Sequence, residues 1–190
     1  MNRKKTFCAL MILWFLIIVF YTAYKEYQLR FGSEAMLRVV PVDPRDIFRG
    51  DYVILSYEIS FVSEEQKIID RYNGDDVLLN NETVYVMLVK DGKYHKGGDI
   101  FKTRPDKGFF IKGKVENGFI DWGSVRNATI VYGIENFFVP EGEGKEIESA
   151  RNRGRVSVKV AVDTYGNASL KGLYIDDKKV DFKNKNEKID

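Results

Sequence analysis

The chain has 190 residues, of which 44% are hydrophobic, and its 30 basic and 28 acidic residues leave a net charge of +2. Those charges are interspersed, so there is no basic face for a nucleic acid, and no nucleic-acid partner is expected. One cysteine, Cys8, excludes an intramolecular disulfide, so whatever folds here must do so by packing alone.

Arg3, Lys4 and Lys5 open the chain, and from Thr6 to Tyr24 there follow 19 residues with no charge, Gly or Pro. At about 1.5 Å rise per residue a helix over this run is ~28 Å long, close to the ~30 Å hydrocarbon core of a bilayer. Tyr21 and Tyr24 lie at its far end, where amphipathic rings favour the headgroup level. Positive charge before the run and near balance after it (Lys25, Glu26, Arg30) predict a cytoplasmic N-terminus. A cleaved signal peptide fits less well. Tyr21, two positions before Ala23, is large where a small residue is needed. The reading is therefore residues 1–5 cytoplasmic, 6–24 an uncleaved transmembrane signal-anchor, 25–35 a juxtamembrane segment, 36–182 an extracytoplasmic domain and 183–190 a polar tail. The localisation expected is a single-pass protein of the inner or plasma membrane. Residues 25–36 are expected to carry the helix outward by two or three turns.

Beyond residue 30 the charges number 25 basic against 27 acidic, a near-neutral domain. Its predicted elements are mostly strands: Met36–Val40, Asp51–Ile59, Thr83–Val89, Gly108–Val115 and Ala128–Tyr132, rich in β-branched and aromatic residues. Asp91-Gly92 and Asn117-Gly118 supply the positive φ that tight hairpins need. Across Arg155–Asp163, Val156, Val158, Val160 and Val162 share one face, which predicts a strand with one face buried and the other wet. Tyr165-Gly166-Asn167 turns the chain into a partner strand over Ala168–Ile175, and Asp176-Asp177 turns it again toward Val180 and Phe182. Pro44 suits a single helical turn over Asp43–Ile47. In Glu141–Arg153 acids precede bases and Gly154 follows, the arrangement of a short helix. The fold class is mainly β: one N-terminal transmembrane helix and a single antiparallel β-rich domain with one or two short helices.

Residues Gly50 to Tyr57 read GDYVILSY, a GDYxxLxY pattern led in by Pro41–Arg49. With FIKGKV (110–115), YGIENFFVPEGEGKEIE (132–148) and KGL (171–173) in order, the stretch from about 36 to 176 resembles a family of bacterial membrane-anchored proteins named for that pattern. The resemblance implies an anchor, a β fold and a multi-span membrane-protein partner, because members are often encoded beside or fused to such proteins. It implies no particular chemistry.

As a strand, Asp51–Ile59 would turn Tyr52, Ile54 and Ser56 one way and Asp51, Val53, Leu55 and Tyr57 the other. Arg45, Asp46, Arg49 and Asp51 would either form an ion-paired corner or join the tyrosines in a docking patch, for which Arg and Tyr are well suited. In the second constellation Tyr132, Phe137, Phe138 and Val139 are read as core. Glu135, Glu141, Glu146 and Glu148 form an acidic cluster that could meet those arginines. The candidate binding residues are thus Arg45, Arg49, Asp51, Tyr52, Tyr57, Tyr132, Glu135 and Glu148.

Catalytic arrangements are sparse. His95 is the one histidine and falls in a turn-like Lys-Tyr-His-Lys-Gly-Gly. No HExxH, CxxC or phosphate loop occurs, so no metal and no cofactor is expected, and no small-molecule ligand is identifiable. Pro44–Leu55 resembles the strand entry of membrane-anchored signal-peptidase-type serine peptidases. Their nucleophile position is here Pro41, which has no group to attack with. The functional expectation is a membrane-anchored, non-enzymatic β domain binding a membrane-protein partner or envelope component. The alternatives are a hydrolase of unrecognised type and a signal-peptidase-like fold without its serine.

Overall fold

The computed structural model describes residues 3–41, 52–63, 65–70, 78–116, 128–140 and 143–182. The turn expected over 43–47, the Asn117-Gly118 hairpin and the 183–190 tail lie outside these residues.

The first element, α1 (Arg3–Phe31), is one continuous helix, longer than the apolar run by seven residues at its C-terminal end. From Thr6 to Phe31 it is long and apolar enough to cross a membrane, and its apolar stretch is not covered by the rest of the protein. Length and composition of this kind suit a membrane anchor or a signal sequence. Gly32 ends it, its N–H donating to Gln28 O at 2.9 Å. A Cβ at Gly32 would lie 2.6 Å from Gln28 O and 3.1 Å from Val162 O, so only glycine lets the chain leave the helix this close to the sheet.

The first strand starts immediately, at Ser33, three residues ahead of the expected Met36. β1 (Ser33–Val40) is followed by β2 (Tyr52–Ile54), β3 (Ser56–Tyr57), a 3-10 turn (Glu58–Ser60), β4 (Ile68–Ile69), β5 (Thr83–Asp91), β6 (Tyr94–Phe101), β7 (Phe110–Val115), β8 (Ile130–Val131) and β9 (Asn136–Phe138). Helix α2 (Gly144–Asn152) and strands β10 (Val156–Val162), β11 (Ala168–Ile175) and β12 (Lys178–Lys179) complete the order. One five-stranded sheet runs β12-β11-β10-β1-β3, another β4-β6-β5-β7-β8, and β2 and β9 form a separate two-stranded ribbon. All pairs are antiparallel except the short β4–β6 pair. Both large sheets contribute to a single apolar core, with Leu37 and Val158 from one and Val84, Val86 and Ile111 from the other.

The turns follow their chemistry. Gly92 (φ 59) makes the β5–β6 hairpin, and Asp176 and Asp177 (φ 47 and 67) make the β11–β12 hairpin. Gly154 (φ 65) ends α2, as its position predicts.

Three local expectations are corrected. The chain around His95 is not a turn but strand β6, because the turn is confined to Gly92-Lys93. Gly97 and Gly98 serve close packing there, since a Cβ would fall 2.8 Å from Gln66 Nε2 and 2.9 Å from Val89 Cγ2 respectively. β10 is not wet on its second face: Ser157 and Ala161 are buried as well as the four valines. Finally, the motif segment is not one strand to Ile59, for it breaks at Leu55 and changes partner.

Candidate functional site

The break at Leu55 is what the motif builds. Before it, β2 pairs with β9 in the register Tyr52↔Phe138, Val53↔Phe137, Ile54↔Asn136. After it, β3 pairs with β1, placing Tyr57 opposite Val39. Leu55 N–H itself donates to Glu135 O at 2.7 Å. The segment is therefore a corner that passes from the ribbon into the first sheet.

The expected alternation survives the corner. Val53, Leu55 and Tyr57 are fully buried, whereas Tyr52 and Ser56 are half-buried and Ile54 is exposed. Burying a phenol requires a partner for its hydroxyl. Tyr57 OH donates to Ile134 O at 2.5 Å, and in return Tyr132 OH donates to Ile59 O at 2.6 Å. The two tyrosines thus tie residues 52–59 and 132–138 to each other in both directions. Burial, reinforced by the charge of Glu135, raises both phenols far above the ordinary tyrosine value, so they remain protonated donors. Glu135 accepts from Tyr132 N–H at 2.5 Å, closing the turn that Gly133 (φ 77) permits.

Arg151 is a member of this site that the sequence reading missed. It is 4% exposed, and its Nη1 donates to Ile54 O at 2.7 Å, holding the end of β2. Its signal was spacing. Gly144, Ile147, Ala150 and Arg151 are the buried residues of α2, so Arg151 falls on the helix's apolar face, four residues after Ile147. A guanidinium on that face needs an acceptor, and the motif carbonyl is one.

The candidate residues therefore separate. Tyr57, Tyr132 and Glu135 converge in the corner, with both phenol hydroxyls and Glu135 Oε1 engaged inside the protein. Tyr52 stands on the outer face of the ribbon, with its ring 6.2 Å from that of Phe138. Phe138, expected in the core, is 76% exposed, because the β9 register turns Phe137 inward and Phe138 outward. Ile54, also outward, is 37% exposed. Glu148 is half-buried on α2. Arg45, Arg49, Asp51 and Glu141 lie outside the described residues. His95 is half-buried: its Nδ1 accepts from Met36 N–H at 3.3 Å and its ring stands edge-on to Phe109. Among the described residues no group of three or more His, Cys, Asp or Glu side chains is placed to hold a metal.

No functionally curated protein and no solved structure matches the chain. A family model does match, over residues 14–173, which takes in the second half of the apolar run, the motif corner and β10 with most of β11. The chain belongs to the GDYXXLXY protein family.

Proposed function

We propose that this protein is a single-pass membrane module whose β domain, outside the cytoplasm, docks a membrane-protein partner through the exposed half of its motif ribbon. The observation that carries the anchor is the join between helix and domain. Gln28, near the end of α1, is 2% exposed. Its Nε2 donates to Asn167 O at 2.6 Å, and Ser169 Oγ donates to its Oε1 at 3.2 Å. Tyr24 OH donates to Asp163 at 3.0 Å. Signal peptidase acting near Ala23 would cut through a helix whose last turns are part of the fold. The N-terminal basic residues and the near-neutral flank after the helix favour an N-in orientation.

The docking reading rests on Tyr52, Ile54 and Phe138. Large apolar side chains grouped on one face of a two-stranded ribbon are unusual in water and typical of a contact surface. Behind them the corner is rigidly tied, so the face is presented preformed, which lowers the ordering cost of binding. A full-length protein with Tyr52→Ala and Phe138→Ala should lose the membrane-protein partners that co-purify with the parent after crosslinking in membranes. Both rings stand on the outer face, Phe138 exposed and Tyr52 half-buried, so the variant should still unfold cooperatively, at a modestly lowered thermal midpoint. An unchanged partner profile in a folded variant would contradict the proposal.

A further inference from the structure

Where α1 meets the domain there is an open cleft of about 630 Å³. One wall is the end of the helix, with Tyr24, Tyr27 and Phe31, and the other is the loop before β7, with Arg104, Lys107 and Phe109. We propose that this cleft seats the headgroup of one anionic phospholipid from the leaflet on the domain's side.

The inference rests on the anchor reading above and adds a ligand to it. If Thr6 to Tyr24 span the hydrocarbon, the seven residues after Tyr24, through Phe31, rise by roughly 10 Å. The headgroup layer is about 5–8 Å thick on each side. The cleft then opens at the level of lipid phosphates. Tyr27 and Phe31 are 63% and 71% exposed, with ring centroids 4.8 Å apart. That pair is poorly placed in bulk water and well placed at a headgroup boundary.

The charges fit the same occupant. Arg104 and Lys107 are both exposed at the cleft, and Arg104 lies over the Tyr165 ring at 5.1 Å. The cleft also holds two carboxylates. Asp163 is occupied by Tyr24 OH, the N–H groups of Tyr165 and Asn167, and the Asn167 amide. Asp106 is engaged as well. The Arg104 guanidinium and the Lys107 ammonium would meet a phosphate at this opening, one as a planar fork and the other as a point charge. At Tyr24 the cleft joins a shallow apolar furrow along Leu16, Ile17, Phe20 and Tyr21, which runs down the helix as an acyl chain would.

The test uses full-length protein extracted in mild detergent and native mass spectrometry of retained lipid. The parent should keep one phosphatidylglycerol in preference to phosphatidylethanolamine. Arg104→Ala with Lys107→Ala should reduce that occupancy about tenfold or more, the loss of charge-assisted contacts. Lys90→Ala with Lys114→Ala removes the same charge from exposed sites elsewhere and should leave it unchanged. Equal loss in both double variants, no preference for the anionic lipid, or displacement by millimolar inorganic phosphate alone would overturn the proposal. Membrane pellets of each variant are first washed with alkaline carbonate. Release of the chain there would overturn the anchor itself, whereas a retained chain without selective lipid overturns the cleft assignment alone.

Discussion

Tyr57 and Tyr52 stand five residues apart in one motif and have opposite fates, and substitution by Phe separates them. In Tyr57→Phe the Ile134 carbonyl is left buried without its donor, which costs about 1–3 kcal/mol. Tyr52→Phe keeps the ring against Phe138 and should change stability by less than about 0.5 kcal/mol. Thermal unfolding of the detergent-solubilised chain reads the difference, and equal midpoints would contradict the assignment of roles. His95 offers a second test that is free of overlap, since the chain has no other histidine. Burial first, and then the charge of Lys90 across the hairpin, lower its pKa from the ordinary 6.5. The folded protein therefore resists a proton that the unfolded chain accepts. This contribution to stability is complete above pH ~6.5 and is lost as pH falls toward the folded value. An NMR titration should place the imidazole midpoint below 6.5, and a midpoint at or above it would contradict the placement. The sequence showed this residue only as a histidine beside two glycines. Gly97 and Gly98 look like turn formers until the strand packed against them is known.

Among the elements, legibility followed how local the cause was. The apolar run is a helix for reasons contained in the run, and the β11–β12 turn is fixed by two adjacent aspartates that tolerate positive φ. The wet face expected for β10 was overridden by tertiary contact: Ala161 lies beside Glu34 of β1 and Ser169 of β11, and the α1 join packs at the same place. The motif corner was half legible. Alternation correctly sorted Leu55 and Tyr57 from Tyr52 and Ile54, but no local signal showed that the strand changes partner at Leu55. That change depends on Glu135, eighty residues away, whose carbonyl takes the Leu55 N–H. Phe138 was assigned to the core on its apolarity, although the register of β9 decides it. Arg151 makes the element-scale prediction. Arg151→Met keeps the volume and apolar contact of the α2 face but removes the donor to Ile54 O, and should cost about 1–3 kcal/mol. Arg153→Met, whose guanidinium is exposed at the end of the same helix, should cost less than about 0.5 kcal/mol. Losses of similar size would contradict a clamp specific to Arg151.

At the scale of the molecule, helix and domain are one piece of architecture. Gly32 allows the tight exit, Gln28 is buried against the β10–β11 turn, and Gly32 alone separates the end of the helix from β1. Such a join suits a domain held close to a bilayer, and it sets the motif ribbon and the cleft beside α1 in one frame. Gln28→Leu should loosen it, because the Asn167 carbonyl and the Ser169 hydroxyl lose their partner. Faster amide exchange at the β10–β11 turn, with the motif corner unchanged, is the expected result, and unchanged exchange at that turn would contradict it. The proposed function needs the helix to be an uncleaved anchor with the β domain on the far side. A single cysteine, Lys145→Cys on the exposed face of α2 in a Cys8→Ala background, is labelled with a membrane-impermeant maleimide while the membrane is intact. Label is expected without detergent, on a chain that stays in carbonate-washed membranes. Label only after the membrane is opened, or a labelled chain released by carbonate, would contradict it.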